Sequence, residues 1–199
     1  GCACSRKEIA DSATKNPALG GRTSQLYRYF PKLCHPTCGL EINLRRLKGN
    51  PRVRVLTLAE VTAIEGDTGN YTVSVKVKPR YVNENCTACG DCGRAVETMV
   101  DDPFNYNLGQ HKAAFLPNAM AYPQRYVLDP AIIGTPDAET AKAACKYGAI
   151  DLDMKEETIQ VKAGAVVWAT GWQPYDAAKI QPYGYGRFKN VITSVEFER

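Results

Sequence analysis

Four cysteines in this chain are spaced for metal chemistry. Cys86, Cys89 and Cys92 form a C-x-x-C-x-x-C run, and Cys145 stands fifty-three residues after the last of them. Thiolates three residues apart on a tight loop can close on one inorganic centre. A three-cysteine run at that spacing is typical of iron–sulfur loops. Four thiolates also suit structural zinc, although zinc sites more often pair two separate C-x-x-C knuckles. Disulfides fit less well, because no signal peptide is legible and 199 residues can build a core without staples. The expected site is one [4Fe–4S] cluster on Cys86, Cys89, Cys92 and Cys145, with zinc as the alternative.

Two-cluster ferredoxins use C-x2-C-x2-C-x3-C-P runs, and the fourth cysteine of each run ligates the other run's cluster. Four residues after Cys92 stands Val96, and Cys145 precedes Lys146-Tyr147-Gly148-Ala149-Ile150, where a second run would end. The other three cysteines of that second run are missing, so the pattern reads as a two-cluster unit reduced to one. A further pair, Cys34 and Cys38, brackets His35-Pro36-Thr37 at the start of an expected helix. A helix N-terminus favours thiolate, so this pair is a possible redox or ligand pair, with two buried thiols as the plainer alternative. His35 reads as a structural histidine before a ligand. Cys2 and Cys4 receive no role.

The bulk numbers bound the rest. Net charge is +4 and hydrophobic content 44%, which is ordinary for a globular chain and too mild to argue for nucleic acid. No apolar run approaches the roughly 20 residues of a membrane span. Eight cysteines without a secretory signal point to a reducing compartment. The expected location is the cytoplasm, at the inner membrane face where a partner holds the chain there. The sequence opens Gly1-Cys2-Ala3-Cys4 without methionine and reads as a processed or partial chain.

The elements that must position the cysteines are legible in part. Residues 38–48 predict a helix closed by Gly49, and Val53 to Thr57 a strand. Ala59 to Glu65 and Tyr71 to Val77 alternate around a Gly/Asn-rich turn and predict a hairpin. Residues 101–136 read as a proline-rich wrap rather than a core element. Ala138 to Lys146 predicts a short helix carrying Cys145. Residues 150–153 and 158–161 predict another hairpin, and Gly164 to Ala169 a strand buried on both faces. Residues 15–83 and 151–199 then belong to one domain, 84–150 is a cysteine-bearing insert, and 1–14 is unassigned.

Two glycine segments flank the insert. Ala169-Thr170-Gly171 resembles the strand end of two-dinucleotide-binding flavoproteins, where glycine lets backbone approach a flat cofactor. Asn16-Pro17-Ala18-Leu19-Gly20-Gly21-Arg22 resembles the loop after their second strand. There Gly20 and Gly21 would pass close to FAD and Arg22 would meet its pyrophosphate.

Taken together, these features resemble the A subunit of heterodisulfide reductase and its relatives, and among them the A subunits of quinone-interacting membrane-bound oxidoreductases. The resemblance runs over about 15–199, through Leu19-Gly20-Gly21-Arg22, Tyr29 to Cys34, Cys38 to Ile42, Gly69-Asn70-Tyr71, Lys78-Pro79-Arg80-Tyr81-Val82, the cysteine run, Gly148 to Asp151, Ala169-Thr170-Gly171 and Tyr183 to Ser194. It implies an α/β class, as an α+β fragment: a partial two-dinucleotide-binding flavoprotein fold with a ferredoxin-like insert. It also implies an oxidoreductase subunit that passes electrons between FAD and iron–sulfur centres. The implied partners are other subunits of a redox complex, including a quinone-reactive membrane subunit, and adenylylsulfate reductase. Three departures stand out: no G-x-G-x-x-G follows a first strand, Thr14 takes the place of a ribose-binding glutamate, and Val96 replaces a cysteine. The second reading is a non-catalytic scaffold with a structural cluster or zinc. A disulfide oxidoreductase using Cys34 and Cys38 is a third. No catalytic acid–base pair emerges; Glu41 and Asp151 read as surface carboxylates.

Overall fold

The structure is a computed structural model that describes residues 10–28, 31 and 33–199. Cys2 and Cys4, and Tyr29, Phe30 and Lys32 of the resemblance, lie outside the described residues. The chain is mixed α/β with several small sheets.

The first sheet joins β1 (Ala10–Thr14) and β2 (Val53–Thr57) in parallel, with Ala10 opposite Val53. Parallel neighbours need a crossover, and α1 (Thr37–Lys48) lies in the connection between them. Gly49 closes α1, its N–H donating to Arg45 O. The helix and β2 agree with the sequence reading. β1 does not announce itself in the sequence, because its five residues have no alternation and are almost wholly exposed.

The second sheet is an antiparallel meander. β3 (Ala59–Asp67) pairs with β4 (Asn70–Val77), and β4 pairs with β9 (Glu157–Ala163). The β3–β4 hairpin turns where the glycines predict. Ala59, Val73 and Val75 are its buried residues, with Val61, Ile159 and Val161 packed against them. The expected hairpin of 150–153 with 158–161 does not form. Val73 takes Val161 as partner instead, and Ile150 bridges to Val82. Both choices bury an apolar side chain that a local hairpin would leave half exposed.

The insert holds the larger core. After α2 (Asp91–Ala95) come the short pairs β5 (Met99–Asp101) with β6 (Gln110–Lys112) and β7 (Ala114–Phe115) with β8 (Val127–Leu128), then α3 (Pro136–Ala144). Leu128, Val96, Ala113 and Ala141 are fully buried, together with Ile132 and Val82. The stretch read as a wrap therefore supplies core residues. Its apolar side chains come in groups of two to four between prolines and turns, too short to show a period. Cys145 follows α3 as its C-cap rather than lying within the helix.

The run Gly164 to Ala169 is not a buried strand. Val167 is 86% exposed and Trp168 65%; no strand includes them, and only Val166 packs against the hairpin core. An apolar run reads as buried only if a neighbouring sheet covers it, and no described strand flanks this one. The last element, α4 (Ser194–Phe197), is opened by a capping box of Thr193 and Glu196.

One buried guanidinium ties these parts together. Arg80 donates to Pro17 O, to Thr57 Oγ1 at 2.7 Å and to Arg125 O at 3.3 Å. It thereby links the loop after β1, the end of β2 and the insert.

The two apolar environments predict opposite mutational costs. Leu128→Ala should lower the unfolding free energy by about 2–5 kcal/mol in urea. Val167→Ala should change it by less than about 0.5 kcal/mol. Equal costs at the two positions would contradict this placement of the core.

Candidate metal centre

The loop that carries the first three cysteines is shaped by local hydrogen bonds. Asn83 Oδ1 accepts from Asn85 N–H at 2.9 Å, and Asn83 O from Cys86 N–H at 3.4 Å. Ala88 and Gly90 then take left-handed φ values of 55° and 87°. That reverses the chain between sulfurs and starts α2, so Cys92 emerges from its first turn. Glycine suits the second of these positions, where a side chain would be strained.

The fourth cysteine reaches the same place through backbone pairing. Asn83 N–H donates to Ala149 O at 2.8 Å, and Asp151 N–H to Tyr81 O at 3.1 Å. Asn83 Nδ2 adds a bond to Gly148 O at 3.2 Å. These contacts lay the 148–151 segment along 81–83. Asp137 at the start of α3 accepts from Glu97 N–H and Thr98 N–H at 3.2 and 2.8 Å. The Thr98 bonds hold its carboxyl below the usual range. That carboxylate fixes the helix leading to Cys145 against the segment after α2.

The result is one cavity lined by all four predicted cysteines, with Val82, Ala149 and Ile150 as apolar wall and Tyr126 beside them. Cys92 is buried, Cys86 and Cys145 half-buried, Cys89 exposed. Burial, and after it the neighbouring Cys86, pushes the Cys92 thiol up to about 11. Such a thiol gives up its proton when a metal takes the proton's place. Two backbone donors already point at sulfur: Ala88 N–H to Cys86 Sγ at 3.4 Å and Ala149 N–H to Cys145 Sγ at 3.3 Å.

Among the described residues no three Cys, His, Asp or Glu side chains converge tightly enough for a single metal ion. Four thiolates around zinc, at about 2.3 Å each, would stand only about 3.8 Å apart. A four-iron cube is a larger body and holds its thiolates farther out. Four thiols lining one cavity, with N–H groups directed at two of them, are the donor set such a cluster takes. Val96 is fully buried in the core beneath, so the place of a further cysteine is filled by apolar packing.

At the open edge, Arg94 and Lys146 face Asp91, the latter at 3.6 Å. The Arg94 guanidinium holds the Asp91 carboxyl below its ordinary range.

The flavin-type residues are partly brought together. Gly20 and Gly21 have φ of 117° and 50°, and Gly171 of 70°. The Arg22 guanidinium lies 5.8 Å from the ring of Trp172, next to Gly171, and 5.7 Å from the ring of Tyr106 in the insert. The two glycine segments thus flank one place, but Ala169 and Thr170 are exposed and lie in no strand there.

Cys34 is half-buried, Cys38 is exposed in the first turn of α1, and neither lines the cavity. His35 Nδ1 shares a 2.8 Å hydrogen bond with Thr37 Oγ1, in keeping with a structural role. Glu41 is an exposed carboxylate paired with Arg45. Sequence reasoning misses Arg80, Gly93, Tyr126 and Asp137. Only the Lys-Pro-Arg segment before the cysteine run hints at the first.

No family model matches the chain. Its homologues are A subunits of heterodisulfide reductase. It is 39% identical over 189 residues to the iron-sulfur A subunit of the CoB–CoM heterodisulfide reductase of Methanocaldococcus jannaschii, covering 93% of this chain and 28% of that protein. It is 36% identical over 191 residues to the A subunit of the ferredoxin:CoB-CoM heterodisulfide reductase of Methanosarcina acetivorans, covering 92% of this chain and 24% of that one. The A subunit of the H2/formate:CoB-CoM heterodisulfide, ferredoxin reductase of Methanococcus maripaludis is 35% identical over 189 residues, 93% of this chain and 28% of that protein. The chain thus spans about a quarter of the length of the curated relatives it matches.

Gly93 offers a test of the cavity's geometry. A Cβ there would stand 2.9 Å from Ala114 O and 3.0 Å from Tyr126 Cε1. Gly93→Ala should displace α2, cost about 1–3 kcal/mol and lower the iron bound per chain after anaerobic reconstitution. Wild-type iron content with an unchanged urea midpoint would contradict the packing.

Proposed function

We propose that this chain is the part of a heterodisulfide reductase A-type subunit that carries one [4Fe–4S] cluster beside a flavin fold, and that it passes single electrons within a multi-subunit redox complex. The observation that carries this reading is the meeting of Cys86, Cys89, Cys92 and Cys145 around one cavity. It agrees with the name of a homologue as an iron-sulfur subunit. The cluster would supply one-electron transfer. The chain's own residues bury Cys92, direct two N–H groups at sulfur and leave Cys89 at the surface. Burial and hydrogen bonds to sulfur are the levers by which a protein sets such a potential.

FAD is the second cofactor of this proposal. Gly20, Gly21 and Arg22 on one side and Ala169, Thr170 and Gly171 on the other would contact it, Arg22 supplying charge to a phosphate. Bound there, it would exchange two electrons with a donor and single electrons with the cluster. Their support is the approach of Arg22 to Trp172. The partners of the proposal are the other subunits of the complex, among them a quinone-reactive membrane subunit, with adenylylsulfate reductase as a cytoplasmic acceptor or donor. Both rest on the sequence resemblance. Among the described residues no helix is long and apolar enough to cross a membrane.

The second reading is a scaffold without redox turnover, holding a structural cluster or zinc. The exposed, strandless Ala169-Thr170 segment favours it.

The two separate by composition. Protein purified without oxygen should be brown and should lose its sulfur-to-iron absorption in Cys89→Ser. Acid denaturation should release flavin. Colourless protein with stoichiometric zinc would sink the cluster, and an iron-loaded chain that releases no flavin would support the scaffold.

A further inference from the structure

Arg80 is the one charged side chain buried among the described residues, at 8% exposure. Its donors end on neutral acceptors, Pro17 O, Thr57 Oγ1 and Arg125 O, and no described carboxylate pairs with it. A buried cation without a counter-charge is costly. Burial, and then the like charge of Arg125, draws its guanidinium down to about 10; the group that opposes this is Cys86. Position places Arg80 in the same neighbourhood as the cysteines. Val82, two residues after Arg80, and Tyr126, next to Arg125, both line the cysteine cavity. Arg80 O also accepts from Leu128 N–H at 3.3 Å, which fixes the Arg80 backbone to the insert's core.

We propose that Arg80 is a positioning residue whose fixed positive charge raises the reduction potential of a cluster held by Cys86, Cys89, Cys92 and Cys145. The inference rests on the cluster reading above. Four thiolates around the inorganic core leave a net negative charge, and each one-electron reduction adds another. A cation held nearby in a poorly polarisable interior favours the more negative form. The chemistry is electrostatic; no bond forms and no proton moves. Arginine suits the role because it stays charged when buried, whereas a lysine shifts readily.

The test is a redox titration of anaerobically purified chain with dithionite, followed by electron paramagnetic resonance, beside iron and sulfide content. Arg80→Gln keeps a donor for the carbonyls and removes the charge. Its reduction equilibrium should fall at least tenfold, about 59 mV for one electron. Arg80→Lys should match wild type near neutral pH. Its potential should then drop from about pH 7.5 upwards, as a buried ammonium discharges below its ordinary range; the wild-type potential should stay flat to about pH 9, below the value of about 10 to which burial draws Arg80. An iron-loaded Arg80→Gln chain with the wild-type potential would overturn the proposal. If the glutamine variant does not fold, a lysine variant with a flat profile would do so. A wild-type chain free of iron would overturn the cluster reading itself, and the proposal with it.

Discussion

A site shared between Cys92 and Cys145 depends on one constraint: distant backbone must be paired before the sulfurs can meet. Two hydrogen bonds meet it: Asn83 N–H reaches Ala149 O and Asp151 N–H reaches Tyr81 O, and together they make the antiparallel bridge of Val82 to Ile150. The same contacts bury Val82 and Ile150 in the insert's core. Pairing and burial therefore reinforce each other, and the cavity is the space left between them. Without this short ladder, the cysteine run would be a flexible loop and Cys145 the end of an unrelated helix.

Arg80 extends that constraint outward. It joins the insert to the loop after β1 and to the end of β2 through hydrogen bonds to Pro17 O, Thr57 Oγ1 and Arg125 O, all on half-buried residues. A second tie is peripheral. Gln25 Nε2 donates to Phe104 O at 2.9 Å, and Arg199 Nε to Asn105 Oδ1 at 2.7 Å. The insert is thus held from both sides, with Arg22 between the rings of Tyr106 and Trp172.

The cysteine site is legible because its chemistry is written in spacing. Ligand type and interval are local facts, and the ferredoxin pairing rule supplies the distant partner. The α1 helix and the β3–β4 hairpin are legible for the same reason: Gly49 and the turn after Asp67 punctuate clear periods. What fails is burial. Val166-Val167-Trp168 reads as core, yet Val167 and Trp168 stand exposed, because apolar composition cannot say which surface will cover it. Conversely, Leu128 and Ile132 are sealed inside although they sit among prolines. Ile150 reads as part of a local hairpin and instead serves the long-range bridge to Val82. Non-local pairing of this kind leaves no periodic trace. Arg80 shows the same limit, since a buried arginine looks like any surface one until its partners are known.

The central claim is that these four cysteines hold one four-iron cluster. Native mass spectrometry of the chain, purified and sprayed without oxygen, tests it most directly. The account predicts a single added mass of four irons and four sulfides, and its loss when Cys145 is replaced by serine. An added mass of one zinc ion, or a cluster retained without Cys145, would contradict it.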